Sequence, residues 1–262
     1  MTDSDETTSG RSRARWIKWG VFGGVAAVVL LFAGIFVYAN FINDSPDELG
    51  DSDLSEALTA TTDAPQVSVT APASTPDQPV TTEAPAGDAD FDGDWVPTTA
   101  SEFGYRVEEV IAGVNTTAVG RSNEIEGLLT IDGTAATVVD ITVQIENITS
   151  DDARRDGQFS GRIMNASEFP TAEFRITEPI EFGQLPVGDE QVTATAIGEL
   201  TLRGVTNPVT FDVTAQTTDG RIGVLGSIPV LFADYGIDNP SFGVIATEDN
   251  GLVEFVLVFE RG

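Results

Sequence analysis

Hydrophobic and polar residues alternate with a period of two along much of the second half of the chain. From Val139 to Glu146, valine and isoleucine at odd positions alternate with polar side chains. Pro208–Gln216 and Ala172–Thr177 show the same alternation. Because successive side chains of a strand point to opposite faces, each segment predicts a β-strand with one apolar and one polar face.

The segment Leu252–Glu260 is apolar at almost every position. Its odd positions, from Val253 to Phe259, carry the larger side chains, and we expect them to point inward. A strand that is apolar on both faces is typical of one that is central or covered on its outer side. The pattern therefore predicts a final strand with little exposure to solvent.

Turn sequences separate the predicted strands. They are Asp132-Gly133, Asn207-Pro208, Asp219-Gly220 and Asn250-Gly251, and Asp-Gly and Asn-Gly supply the positive φ that tight hairpins need. The polar stretch Ser150–Ser160 predicts a short helix or a crossing loop. An all-β domain follows, either a two-sheet sandwich or an up-and-down barrel.

A long apolar segment precedes this domain. Gly20–Ile42 contains no charged residue, and about 20 apolar helical residues span a bilayer. Four basic residues lie before it and acidic residues follow it. The positive-inside rule then predicts a single-pass cell-membrane protein with a cytoplasmic N-terminus, residues 1–19, and an extracytoplasmic C-terminal part. A cleaved signal peptide is the alternative, but the apolar run exceeds the roughly 7–15 residues that are usual for the apolar region of such a peptide.

Residues 43–92 are rich in Ser, Thr, Pro and acidic residues, and contain no Lys or Arg. Such a composition buries too little apolar surface to offset its ordering entropy. We expect a disordered, extended linker between the membrane helix, 20–42, and the β-domain, 93–262.

The charge and the missing residue types narrow the function. The net charge is −29, which disfavours nucleic acid as a partner. Because the chain has no Cys and no His, we expect no catalytic residue, no metal site and no cofactor. Paired carboxylates leave a hydrolase as a minor alternative. The apolar interior fits either a packed core or a cavity for a small ligand, and composition leaves both open.

Two segments resemble a known family. Leu200-Thr201-Leu202-Arg203-Gly204-Val205-Thr206 follows Arg155-Asp156 and Glu168-Phe169-Pro170 in the order and spacing of the YceI-like family. The resemblance covers about residues 95–262. It implies an extended, antiparallel, lipocalin-like β-barrel whose tunnel holds a polyisoprenoid or a similar amphipathic chain. Phe232 stands where many members have a basic residue, so a headgroup contact made there is missing.

If the resemblance holds, the alternating apolar residues form the tunnel wall. The predicted wall consists of Val139, Ile141, Val143, Ile145, Phe174, Ile176, Val209, Phe211, Val213, Phe255, Leu257 and Phe259. Arg106 and Arg121 are candidates for an anionic headgroup, although ion pairing at the surface is the alternative for both. We expect Arg155 and Arg203 to be structural, since both flank turns.

The sequence therefore predicts a membrane-anchored, extracytoplasmic lipid-binding barrel that is not an enzyme. Its partners would be an isoprenoid or another long-chain lipid and the membrane itself, and a homodimer stays open. The alternative is a cell-envelope interaction module on a stalk that binds no ligand. A continuous apolar tunnel favours the first function, and a filled interior favours the second.

Overall fold

The computed structural model describes residues 29–30, 33–34, 45–60, 91–188 and 190–262. Its strands are β1 (Gly93–Pro97), β2 (Glu102–Ile111), β3 (Val114–Ser122), β4 (Ile125–Asp132), β5 (Ala135–Gln144), β6 (Thr149–Ser150), β7 (Thr171–Ile176), β8 (Ile180–Glu181), β9 (Val192–Leu202), β10 (Val205–Thr218), β11 (Arg221–Leu231), β12 (Ile245–Thr247) and β13 (Asn250–Arg261). Two helices accompany them, α1 (Asp51–Thr59) and α2 (Ala153–Gln158), and a π-helical turn, Phe159–Ile163, continues α2.

Eight of these strands close into an antiparallel barrel. They follow the order β1, β4, β5, β7, β9, β10, β11 and β13, and β13 returns to β1 through the pairs Trp95–Arg261 and Pro97–Phe259. Closure leaves no free edge in this ring, and a closed ring is a barrel rather than a sandwich. The prediction of an all-β antiparallel barrel is confirmed.

One end of the barrel carries additional elements. β2 continues the path of β1 along β13, with Phe103 opposite Phe255, and β3 pairs with the other edge of β2. β6 pairs with β3, and α2 with its π-helical turn connects β6 to β7. Ser150–Ser160 therefore contains the predicted helix.

The predicted strands are confirmed, but two predicted turns are not. Asp132-Gly133 and Asp219-Gly220 do connect neighbouring strands, whereas Asn207-Pro208 lies inside β10 and Asn250-Gly251 begins β13. The hairpin between β9 and β10 turns instead at Arg203-Gly204, with φ of 50° and 73°. Positive φ at two successive residues is what a two-residue hairpin requires.

Part of the expected disordered linker is ordered against the barrel. Residues 45–60, which we call the strap, lie along its outer face. In α1, Leu54 and Leu58 are 0% and 1% exposed and pack against Val256 and Val258. A Cβ on Gly223 would lie 2.7 Å from Leu54 Cδ1, so the missing side chain admits the helix. The strap thus supplies the outer cover that the apolar pattern of β13 predicts, and the expectation of disorder is wrong for residues 45–60.

Polar contacts fix the direction of the strap along the barrel. At its start, Ser45 Oγ donates to the carbonyl of Thr117 on β3. At its end, Arg221 Nη1 donates to the carbonyl of Ala60 at 2.8 Å, beside the β10–β11 hairpin. The strap therefore runs from the β2–β3 end of the barrel to the opposite end.

The predicted membrane helix falls largely outside the described residues. Of 20–42, only Val29, Leu30, Ala33 and Gly34 are described, and all four are helical. Within the described ranges, no helix has the length and apolar character needed to cross a membrane. The predicted span and the rest of the linker, residues 61–90, stay predictions.

Candidate functional site

The barrel encloses a cavity of about 720 Å³. Its wall comes from nearly every strand of the ring, and almost all the side chains that face it are apolar. This volume lies within the range of about 300–1,000 Å³ that is typical of small-molecule sites. The interior is therefore hollow rather than filled, which decides the question that composition left open.

Small side chains on the inner face explain why the barrel is hollow. Ala136, Ala172, Ala196 and Ala215 all face the cavity, and Ala196 is fully buried. An alanine at an inward position leaves the volume that a larger side chain would fill in a close-packed core. These inward alanines were a signal for a hollow barrel that the sequence analysis did not use.

Most of the predicted wall residues line the cavity. Those that do are Val139, Ile141, Val143, Ile145, Phe174, Phe211, Val213, Phe255, Leu257 and Phe259. Ile176 and Val209 do not line it; they are partly buried and pack against the hydrophobic core. Contact of the ten lining side chains with a ligand stays a prediction.

Three aromatic rings from β7, β10 and β13 form one part of the wall. Phe211 lies between Phe174 and Phe255, with ring centroids 5.3 Å and 6.1 Å away and interplanar angles of 66° and 85°. Edge-to-face packing of this kind stabilises the fold by more than the burial of apolar surface alone would. Phe211 is thus held from both sides while it faces the cavity.

The cavity reaches the surface at the end of the barrel where β2 and β12 pair. Phe242 lines the cavity and is also 74% exposed, so its ring lies between the interior and solvent. Ile245 and Thr247 of β12 line the same end. We call this end the mouth. The opposite end is lined by Phe91, Ile180 and other residues near the β10–β11 hairpin.

A polar cluster that the sequence analysis did not assemble lies near the mouth. Arg155 Nη2 of α2 is 3.6 Å from Glu109 Oε1 of β2, and Arg155 Nη1 donates to Asp151. Tyr105 stacks on Phe159 with a centroid distance of 4.4 Å. Arg155, Glu109 and Tyr105 line the cavity, as do Asp152, Arg154 and Gln158, so charged and polar groups face a ligand in this part of the cavity.

Burial sets the ionisation of this cluster. Desolvation raises the pKa of Glu109 above its ordinary value, although Arg155 acts in the opposite direction. Burial also raises the pKa of the Tyr105 hydroxyl, so this group is a neutral hydrogen-bond donor. Burial acts to lower the pKa of Arg155, but Asp151 and Glu109 outweigh it and raise that pKa. Among the described residues, Glu109 Oε1 has no hydrogen-bond partner.

The structure does not place the two headgroup candidates at the cavity. Arg106 Nε lies 3.3 Å from Glu254 Oε2, and Arg121 Nη2 lies 2.7 Å from Glu254 Oε1. Both arginines also donate to the strap, Arg106 to the carbonyl of Pro46 at 2.7 Å and Arg121 to that of Asp47 at 3.0 Å. The alternative of ion pairing therefore holds for both arginines, and strand alternation accounts for it, since residues 106 and 121 occupy outward positions.

Arg155 and Arg203 differ in their placement. Arg203 Nη1 donates to the carbonyl of Gly236 outside the cavity, in accordance with a structural role. Arg155 pairs with carboxylates as expected, but it also lines the cavity. Phe232 lines the cavity with an apolar ring. The basic group nearest the cavity interior therefore comes from α2.

A sequence profile of the YceI-like domain matches residues 96–259, more than half of the chain. The chain belongs to the YceI-like family. Among curated relatives, a UPF0312 protein of Pseudomonas aeruginosa is 34% identical over 127 residues, which are 45% of this chain and 62% of that protein. A UPF0312 protein of Shewanella denitrificans is 32% identical over 128 residues, 45% of this chain and 63% of that protein. The match spans less than two thirds of either relative.

A solved structure of another protein shows the same fold. The polyisoprenoid binding domain from Saccharophagus degradans superimposes with a TM-score of 0.52 at 17% identity, covering 65% of this chain and 99% of that domain. The YceI-like match begins at residue 96, so the strap and the apolar run precede the family domain.

Proposed function

We propose that this protein holds a polyisoprenoid or a similar amphipathic lipid chain inside its barrel, and that an N-terminal helix anchors it to the membrane with the barrel outside the cytoplasm. The observation that carries the proposal is the apolar cavity of about 720 Å³, which runs from the mouth towards the far end of the barrel. Burial of apolar chain contributes about 25 cal/mol per Å². A long chain can therefore be retained without a charged contact to its headgroup.

The polar cluster near the mouth supports an uncharged headgroup. Arg155 is already paired with Asp151 and Glu109, so the three side chains together carry excess negative charge. A phosphate placed beside the Arg155 guanidinium would also meet the carboxylates of Asp151 and Glu109, and the opposite charges of Arg154 and Asp152, which line the cavity too, balance each other. A hydroxyl or carbonyl headgroup could instead accept from Tyr105, and a hydroxyl could also donate to Glu109 Oε1, which has an ion pair with Arg155 but no hydrogen-bond partner among the described residues.

The hollow interior argues for the lipid-binding function over the cell-envelope interaction module. A module that acts only through its surface has no need of inward alanines, and these cost the barrel close packing. Binding rather than catalysis is supported by the apolar lining and by the internal pairing of the Arg155 cluster. The polyisoprenoid binding domain of Saccharophagus degradans, a neighbour of the same fold, adds support for a prenyl ligand.

Native mass spectrometry of residues 45–262 tests the proposal. The fragment retains the strap and is purified without detergent from a host that contains membranes. We expect an adduct of several hundred daltons that organic solvent extracts, as expected for a long prenyl chain. A ligand-free mass that persists after incubation with prenyl lipids would overturn the proposal.

A matched pair of variants shows whether the adduct occupies the cavity. Ala196→Phe places a ring in the interior, where Ala196 is fully buried. Thr195→Phe places the same ring on the exposed outer face of the same strand, β9. We expect Ala196→Phe to lose the adduct and Thr195→Phe to keep it, with both proteins folded by circular dichroism.

A further inference from the structure

The strap determines which end of the barrel lies nearest the apolar run 20–42. Ser45 contacts Thr117, which pairs with Glu108 of β2. Ile42 precedes Ser45 by three residues, and three residues span at most about 10 Å. The end of the apolar run is therefore held close to the β2–β3 side of the barrel, although a free linker of about fifty residues would have imposed no such limit.

The same register places the mouth beside that point. Ala112 follows Glu108 by four residues, about 13 Å along an extended strand. The N–H of Ala112 donates to the carbonyl of Val244 at 2.9 Å, in the turn that carries Phe242. The far end of the barrel is excluded as the end nearest the apolar run, because the strap reaches the far end only at Ala60.

The mouth presents an apolar tip to its surroundings. Phe242 and Ile245 exchange two backbone hydrogen bonds of 3.0 Å, which close a tight turn around Gly243 and Val244. Val244 is 66% exposed and Phe242 is 74% exposed. Exposed apolar side chains at the tip of a turn, at the entrance to an apolar cavity, are suited to insertion among lipids rather than to contact with water.

We propose that the turn Phe242–Ile245 docks on the bilayer that holds residues 20–42, so that the cavity opens towards the membrane from which its lipid comes. Docking rests on the membrane anchor of the proposed function. Asp238, Glu248 and Asp249 lie close to the turn in sequence, and their charge favours zwitterionic over anionic headgroups. Lipid would then pass between bilayer and cavity beside Phe242 without crossing water.

Because the chain contains no Cys, single labels can be placed without background. Full-length protein in phosphatidylcholine vesicles would carry a nitrobenzoxadiazole label at Val244→Cys, at Val187→Cys or at Val29→Cys. Val187 is a matched control, since it is a valine, 74% exposed, adjacent to the cavity residue Pro186 near the far end. Val29 reports on the anchor. Doxyl-labelled phosphatidylcholine quenches only labels that enter the bilayer.

We expect loss of emission at positions 244 and 29 and none at position 187. Loss at position 29 alone would show an anchored barrel that stands away from the bilayer, which overturns the docking inference and leaves the anchor intact. Loss at both 244 and 187 would overturn the inferred orientation. No loss at position 29 would contradict the anchor itself, and the docking inference would fall with it.

Discussion

Glu254 provides the sharpest test of the electrostatic contacts that hold the strap. Its side chain is 1% exposed and lies between Arg106 and Arg121, whose side chains are 11% and 13% exposed. It also accepts the backbone N–H of Leu49 at 3.3 Å. Glu254→Gln leaves the buried charge of Arg106 without a carboxylate partner, so it should lower the free energy of unfolding by about 3 kcal/mol.

Glu102→Gln is the matched control, because Glu102 also pairs with Arg121, at 2.6 Å, but is 47% exposed. An exposed pair contributes about 0–1 kcal/mol. Urea unfolding followed by circular dichroism measures both variants. With a slope of about 2 kcal/mol per molar urea, Glu254→Gln should lower the midpoint by about 1.5 M and Glu102→Gln by at most about 0.5 M. Equal shifts in the two variants would refute the assignment of Glu254 as the buried centre of this cluster.

Three further predictions concern the cavity and the strap. Phe211→Ala should lower stability by about 3–5 kcal/mol and weaken lipid retention in native mass spectrometry, and unchanged retention would remove Phe211 from the site. Because burial raises the pKa of Glu109 in the folded protein, its ionised form destabilises the fold. Glu109→Gln should therefore become more stable relative to the unsubstituted protein as pH rises from about 4.5 through the raised pKa. A difference in urea midpoints that does not change with pH would contradict this. Leu58→Asp should detach α1, so that a glutamate-specific protease cleaves at Glu56 while the barrel stays folded; resistance equal to the unsubstituted protein would show that Leu58 does not hold the strap.

The barrel was predictable because its strands are amphipathic. In β5 and β10 the period of two follows directly from burial of one face, and this signal needs no knowledge of partners. The turn dipeptides did not locate the β9–β10 turn, which only the family motif around Arg203 indicated, because Arg203 has a positive φ of 50° that its residue type does not favour. The antiparallel pairing of β9 with β10 on either side of the turn imposes that conformation on Arg203.

The strap could have been found from two local signals. Leu54 and Leu58 are four residues apart and so share one helix face, and the Asp53 carboxylate accepts the N–H of Gly50 at 2.8 Å at the start of α1. The acidic composition outweighed both signals in the prediction. The apolar outer face of β13 was recognised, but a single sequence does not say which segment covers it.

The polar cluster near the mouth could not be predicted from the sequence for a different reason. Glu109 and Arg155 belong to different elements, and no spacing rule brings β2 and α2 together. The sequence left Arg106 and Arg121 open between a headgroup and ion pairing for the same reason, because it contains too many carboxylates to show that Glu254 is their buried partner.

The position of β13 has a consequence for synthesis. This strand pairs with β11, with β1 and with β2, so the ring cannot close until Asn250–Arg261 has left the ribosome. Contacts between distant parts of a chain slow folding and leave intermediates exposed. A nascent or truncated chain that lacks β13 presents unpaired strand edges on β11 and β2, which are sites of aggregation. Closure of the barrel therefore waits for the last of its strands, and until then the edges of β11 and β2 stay open to pairing with other chains.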